Sequence, residues 1–413
     1  MSIEWRAHWR IWLLLAVPFL LPFGRSAEAP VLIGALCGLI AIAKRRIEWK
    51  AATTRLALVL FAAYWLPELI SAFDSVAPKK TWQEVGIDLR FLPFLLFATT
   101  AARNAREASL LTGGVAAIVA FWCIDALLQA ATGFSLGGAA TQDRLSGIFG
   151  ADDLKLGGAL AVLSPFALSW CMQRGGMRWT LLAALPLVLV VLLAGARAGW
   201  VGFTLGALLV LWHRLDTRRA LSAFGALLLA TVVAATAGYH LSDKFAQRVD
   251  RTAALLGGDE AALDHALSGR LPIWATALRM AQAHPINGVG VRGFRYDYPE
   301  HAAADDPWID PQTRQGAMHA HQIVLELASE TGLIGVFAWF AAAVFAWRDW
   351  RRAASGARDA ARPAAFALVV MLFPFNTHYA MYSAVWGLFL FALLALWLAA
   401  QCGGNRAAPA NRA

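Results

Sequence analysis

The sequence predicts an all-α polytopic membrane protein with about twelve transmembrane helices and one long loop on the outer side. Its 413 residues are 59% hydrophobic and only 15% charged, with a mean hydropathy of +0.54. Soluble domains carry roughly 25% charged residues and about 45–50% apolar ones. Too little polar surface remains to cover a water-soluble body of this size. The apolar residues also run continuously, without strand-like alternation. A span must be a helix or a closed barrel, because lipid satisfies no backbone polar group. A soluble enzyme, a disordered chain and a fibrous repeat are excluded.

A hydrocarbon core about 30 Å thick asks for roughly 20 apolar residues per helix. The runs fall at 11–23, 30–43, 56–73, 86–102, 108–131, 154–172, 179–195, 199–213, 220–238, 322–347, 363–381 and 383–400. Arg6 and Arg10 before the first run, with Ala27-Glu28-Ala29 after it, resemble a secretory signal and its cleavage site. Pro30 would follow the cut, a poor position for cleavage, so the run is read as a retained span. Leu181 to Trp212 holds 32 residues with Arg197 as the only charge. At 1.5 Å per residue that is about 48 Å, too long for one span. A turn at Gly195-Ala196-Arg197-Ala198-Gly199 divides it and sets Arg197 at a membrane surface. The chain thus divides into helices 1–9 over residues 1–238, the outer loop over 239–320, helices 10–12 over 321–400 and a tail over 401–413.

Twelve spans put both termini on one side, and Lys and Arg collect on the cytoplasmic side. With the termini inside, the inner segments hold 21 of the 36 Lys and Arg and six of the 27 acids, Glu4, Glu48, Glu107, Asp216, Asp349 and Asp359. That leaves +15 inside and −6 outside for a net +9. The basic total records orientation and does not call for nucleic acid. The 18 tryptophans suit the membrane–water interfaces. Cys37, Cys123 and Cys171 lie in apolar runs and Cys402 at the end of the last one, so they read as small core hydrophobes and not as a disulfide framework.

From Tyr239 to about His319 some 80 residues lie outside the membrane. Loops of that length are usually functional. This one carries His240, His265, His284, His301 and His319, with His321 at the start of the next span. Leu271 to Ala283 reads as a helix, with Pro272 in its first turn and His284-Pro285 at its end. Leu271, Trp274 and Leu278 share a face, expected to lie flat on the membrane surface.

The densest polar cluster is His319-Ala320-His321-Gln322. A lone His at a membrane surface is more often structural, but two within three residues closing the long loop suit general-base work near neutral pH. His-x-His can ligate zinc, yet a catalytic zinc needs three protein ligands. Glu326 and Glu330 follow on the membrane helix, and no Asp-x-Asp pair exists to hold a diphosphate-bound metal. Arg197 between apolar runs is costly and a functional hypothesis by default; its bland reading is snorkelling to headgroups. Arg270, after Ser268-Gly269, reads alone as a solvated loop residue. Arg fits phosphate oxygens bidentately, so the two together suit a diphosphate. His284-Pro285-Ile286-Asn287-Gly288-Val289-Gly290 lacks the Lys-Ser/Thr of a phosphate-binding loop, and no Gly-x-Ser-x-Gly is present.

Taken in order around one outer loop, Arg197, Ser268-Gly269-Arg270 with Trp274, His284-Pro285 with Gly288 and Gly290, and His321, Leu325, Gly332 and Gly335 resemble the O-antigen ligase and polymerase superfamily of bacterial inner membranes. The resemblance covers roughly residues 140–345. Gln322 departs from the Asn that often follows the His, keeping the amide. The resemblance implies a GT-C-like fold, a polyprenyl-diphosphate-linked glycan donor on the periplasmic side, and no metal or other cofactor. It implies His321 as base and Arg197 and Arg270 on the diphosphate, with His319 the reserve base and Gln322 a lesser candidate. One dominant loop and no appended soluble domain favour an O-antigen ligase acting on lipid A–core over a polymerase or a protein O-oligosaccharyltransferase. A secondary transporter is the alternative of another class, and a structural scaffold a third. Against the transporter, the polar residues cluster at the outer face and not as paired charges at the midplane.

Overall fold

The computed structural model describes residues 7–139, 144–150, 154–241, 246, 250, 269–377 and 379–405. The expectations for His265 and Ser268 in the loop, for the N-terminal Glu4 and Arg6, and for the tail from Arg406 fall outside these residues. A helix lies on every one of the twelve apolar runs. Six helical stretches among the described residues are long and apolar enough to cross a membrane. The chain is a multi-pass, all-α membrane protein.

α1 (Trp9–Leu20) and α2 (Glu28–Ala43) join through a tight turn at Leu21–Ala27, where Gly24 takes a φ of 62°. α3 (Ala52–Ser71), α4 (Pro78–Asp88) and α5 (Phe91–Ala101) follow. α6 (Ala105–Thr132) starts at Asn104, whose side chain accepts from the Glu107 amide at 2.9 Å. It ends at Gly133 with a φ of 81°, so cap and stop are both written in the sequence. α7 (Leu156–Leu193) is two helices meeting at Gly176, which takes a φ of 68° between the sixth and seventh runs. α8 (Arg197–Arg214) and α9 (Thr217–Leu241) complete the first part.

The outer layer holds α10 (Leu271–Ala283) and α11 (Phe294–His301). Then come α12 (Ile323–Glu330), α13 (Gly332–Arg352), α14 (Ser355–Met371) and α15 (Ala384–Asn405). α15 is apolar all round and buried from Trp386 to Gly404, as a helix at the centre of a bundle must be. α14, α5, α6, α3 and α1 surround it. Leu32, Ile33 and Leu36 on α2, Val232 and Val233 on α9, and Phe337 and Phe340 on α13 are exposed, an outward face that suits hydrocarbon and not water.

Four sequence expectations change. The fourth run, 86–102, breaks before Phe91: Arg90 binds Glu28 at 3.1 Å and Asp88 at 2.9 Å, so α5 alone, about 16 Å long, does not span. The tenth run, 322–347, is interrupted at Thr331–Gly332. The eleventh, 363–381, stops at Met371, and the chain from Leu372 to Ser383 is irregular where described. Irregular backbone at such depth needs protein partners, not lipid, and it finds them in the site below. Finally, the loop helix forms where expected but buries Ile273, Thr276, Ala277 and Met280, while Leu278 is exposed. Its apolar contacts run inward to α11 and α12, because α11 offers Phe294 and Tyr298, and the turn before α12 offers Ala320, as a small core.

Candidate active site

The site is assembled where α10 and α12 meet the irregular strand of chain 372–383. Gln322 caps α12: its Oε1 accepts from the Leu325 amide at 2.6 Å, while its Nε2 donates to the Pro374 carbonyl at 2.6 Å. Both ends of the amide are thus committed to framing, which fits the retained amide function. His321, just before this cap, takes a φ of 52°. A left-handed non-Gly residue is uncommon and is held only where its surroundings over-determine it. The Ala320 carbonyl beside it accepts from Trp274 Nε1 at 3.0 Å, which ties the turn to α10.

His319 Nε2 and His321 Nδ1 are 3.1 Å apart. Burial, and then the positive charges of Arg292 and Arg270, push His319 down to about 4. It is therefore neutral at physiological pH and can accept the Nδ1 proton of His321. In that tautomer His321 Nε2 carries a lone pair. The pair is ordered, not merely adjacent.

Arg270 stands at the start of α10, and its Nη1 donates to the Thr377 carbonyl at 2.7 Å. Burial and the charges of Arg197 and Arg144 lower its proton affinity. Arg270 thus feels the charges of Arg197 and Arg144, and the His319 ring feels that of Arg270. The chain turns at 194–196, where Gly195 has a φ of 71°, and Arg197, expected inside a turn running to Gly199, instead opens α8. Gly199 packs on the backbone of Gly157, and a methyl group there would lie 3.1 Å from the Gly157 carbonyl. Tyr379 from the irregular strand donates to the Gly158 carbonyl at 2.9 Å. The Leu145 amide binds the Leu193 carbonyl at 3.3 Å, which brings its neighbour Arg144 to the same turn.

The glycine-containing loop is a splint. Val289 and Gly290 donate to the carbonyls of Ser329 and Glu330 at 2.8 and 3.0 Å, and Leu333 and Ile334 donate to those of Pro285 and Ile286 at 2.8 and 3.2 Å. These four bonds satisfy the backbone freed by the α12–α13 break. Gly288 (φ 66°) touches Glu330, and Gly332 (φ 62°) touches Ile286, both so closely that no Cβ fits.

Glu326 accepts from the Met381 and Tyr382 amides at 2.8 and 3.1 Å. It anchors the irregular strand and is not offered to the histidine pair, so His319, His321 and Glu326 do not form a metal ligand set. Sequence reasoning missed Arg144, Arg292 and the strand 372–383. A cation in a short outer connection, and Pro374 and Asn376 inside an assumed span, were the signals available.

The architecture and the site together define a polytopic membrane protein with arginines and a histidine pair at the junction of its outer layer and its bundle. Residues 181–340 match the family model described as O-antigen ligase, in the stretch where the sequence resemblance lies. That stretch includes Arg197, Arg270, His319, His321 and Gln322, the residues on which the sequence resemblance turned. No curated protein matches the chain significantly.

Proposed function

We propose that the protein is an O-antigen ligase of the bacterial inner membrane, working on the periplasmic face with both termini in the cytoplasm. It transfers a glycan from a polyprenyl-diphosphate carrier to a sugar hydroxyl of lipid A–core. One observation supports the reading: Arg270 feels the charges of Arg197 and Arg144, and His319, 3.1 Å from His321, feels that of Arg270. His321 Nε2 takes the proton of the acceptor hydroxyl as its oxygen bonds to the anomeric carbon. The bond from that carbon to the diphosphate oxygen breaks, and polyprenyl diphosphate leaves. Arg197 and Arg270, joined by Arg144, hold the diphosphate and meet the charge that grows on it, the role that often supplies the largest catalytic term. His319, with its lowered proton affinity, is a poor base near neutral pH; it orients His321 by accepting its Nδ1 proton. The carrier's own leaving group supplies the drive, and the residues named need no metal or other cofactor.

The test is transfer in vitro from a defined lipid-diphosphate donor to a lipid A–core acceptor. His321→Ala should lose roughly 10²–10⁴-fold while the protein still inserts and purifies; wild-type activity would overturn the base assignment. A deletion strain separates the two chemistries of the superfamily. Lipopolysaccharide without O-antigen fits the ligase, and a single repeat on core points to the polymerase. Solute uptake by liposomes with no glycosyl transfer would choose a transporter.

A further inference from the structure

At the other end of α10, three side chains that the transfer chemistry does not use converge. His284 ends α10, and Asp297 and His301 stand one turn apart on α11. One ligand atom from each, His284 Nε2, Asp297 Oδ2 and His301 Nε2, lies within 4.8 Å of the others. The Oδ2 of Asp297 is 3.0 Å from His301 Nε2 and 3.9 Å from His284 Nε2. Two ligands of a tetrahedral zinc, at bond lengths near 2.0–2.1 Å, stand roughly 3.3 Å apart, so these spacings bracket what a shared ion requires.

A second observation separates this cluster from an ordinary ion pair. Asp297 is only 8% exposed, and its Oδ2 accepts no hydrogen bond despite the imidazole nitrogen 3.0 Å away. An imidazole holds a proton or a metal along the same in-plane direction. This ring nitrogen is thus close to the oxygen without hydrogen-bonding to it. A buried carboxylate oxygen left without a hydrogen bond is costly, and a cation between the three atoms removes that cost. His284 remains about one-third exposed, which leaves a path for the ion.

We propose that His284, Asp297 and His301 form a structural site for a divalent transition-metal ion of the Zn²⁺ class. Two imidazoles and a carboxylate suit such ions. The site lies about 20 Å along α10 from Arg270, by the length of a 13-residue helix, so the ion does not touch the reacting centre. It cross-links α10 to α11. These two helices share a core of only eight fully buried apolar residues with their surroundings, and cores that small are commonly stapled by a metal or disulfides. Held in this way, α10 keeps Arg270 on the Thr377 carbonyl and Trp274 on the Ala320 carbonyl.

The experiment is metal analysis of the full chain purified in detergent, loaded with Zn²⁺ and passed through metal-free buffer, with Co²⁺ as the spectroscopic probe. The wild type should retain about one ion per chain and give the intense visible bands of low-coordinate Co²⁺. Asp297→Asn and His301→Gln should weaken Zn²⁺ binding by roughly 100-fold or more, whereas His319→Ala should bind as wild type. His301→Cys guards against variants that merely misfold: it should bind Co²⁺ and add a thiolate-to-cobalt charge-transfer band. Wild-type protein that retains no more Zn²⁺ than His301→Gln overturns the proposal. So does Co²⁺ bound by His301→Cys without that band.

Discussion

The bundle around α15 and the outer layer of α10 to α12 are built on opposite principles. In the bundle, buried residues from Trp386 to Gly404 are gripped on all sides by apolar helices, and side-chain volume does the work. In the outer layer the apolar core is small. Backbone amides, capping side chains and glycines too crowded to carry a Cβ hold the parts in place. A packed core tolerates exchanges of similar volume. A frame of directed bonds tolerates few, but it can hold charges in a fixed relation. The contrast teaches why the polar chemistry gathers at the frame and not in the bundle.

That contrast can be broken by experiment. The largest effect should come from the frame: Arg270→Lys and Arg197→Lys should each lower transfer by roughly 10²–10³-fold, because an ammonium does not reproduce the planar fork. Their melting temperatures should stay near wild type, and full activity in either would reduce that arginine to a snorkelling or solvated role. The bundle should show the reverse. Leu393→Ala, at a fully buried position on α15, should lose about 2–4 kcal/mol of stability with turnover near wild type below the melting transition. Gly288→Ala sharpens the boundary between the two. It forces a Cβ onto the Glu330 backbone at a positive φ, for about 1–3 kcal/mol, and should slow transfer as well by shifting the end of α12. A variant that melts like wild type would show the splint to be dispensable.

The remaining prediction concerns pH dependence. Burial, Arg292 and Arg270 take His319 from its ordinary 6.5 to about 4, so the folded protein prefers the neutral ring. Between these values the unfolded chain binds a proton that the folded one refuses. Stability from this residue is therefore complete above about pH 6.5, falls as pH drops toward 4, and levels off below. His319→Gln should flatten that part of the stability curve, measured by melting in buffers across the window; an unchanged slope would remove His319 as its source.

Much of the bundle was legible in the sequence, because apolar runs report burial in lipid or core directly. A turn near Gly195 and the loop helix could be named from composition and order alone. The breaks at Arg90, Thr331–Gly332 and Leu372 could not. At each, backbone or charge is satisfied by partners remote in the chain: Glu28 for Arg90, Pro285 and Ile286 for the α12–α13 break, Glu326 for the strand after α14. Hydropathy sees the residue and not its partner. Arg144 was missed for the same reason, since its short connection gains meaning only beside the turn that bears Arg197.

The irregular strand between α14 and α15 also has a consequence for how the protein is made. Its atoms complete contacts with Gly158, Arg270, Gln322 and Glu326, all of which leave the ribosome earlier. A nascent chain that has inserted everything up to Met371 already owns both arginines and both histidines. It has no Thr377 carbonyl for Arg270 and no Pro374 carbonyl for Gln322. The framing of the candidate site is thus tied to the arrival of the last helix, and an unfinished chain in the membrane carries these arginines and histidines without the contacts that frame them.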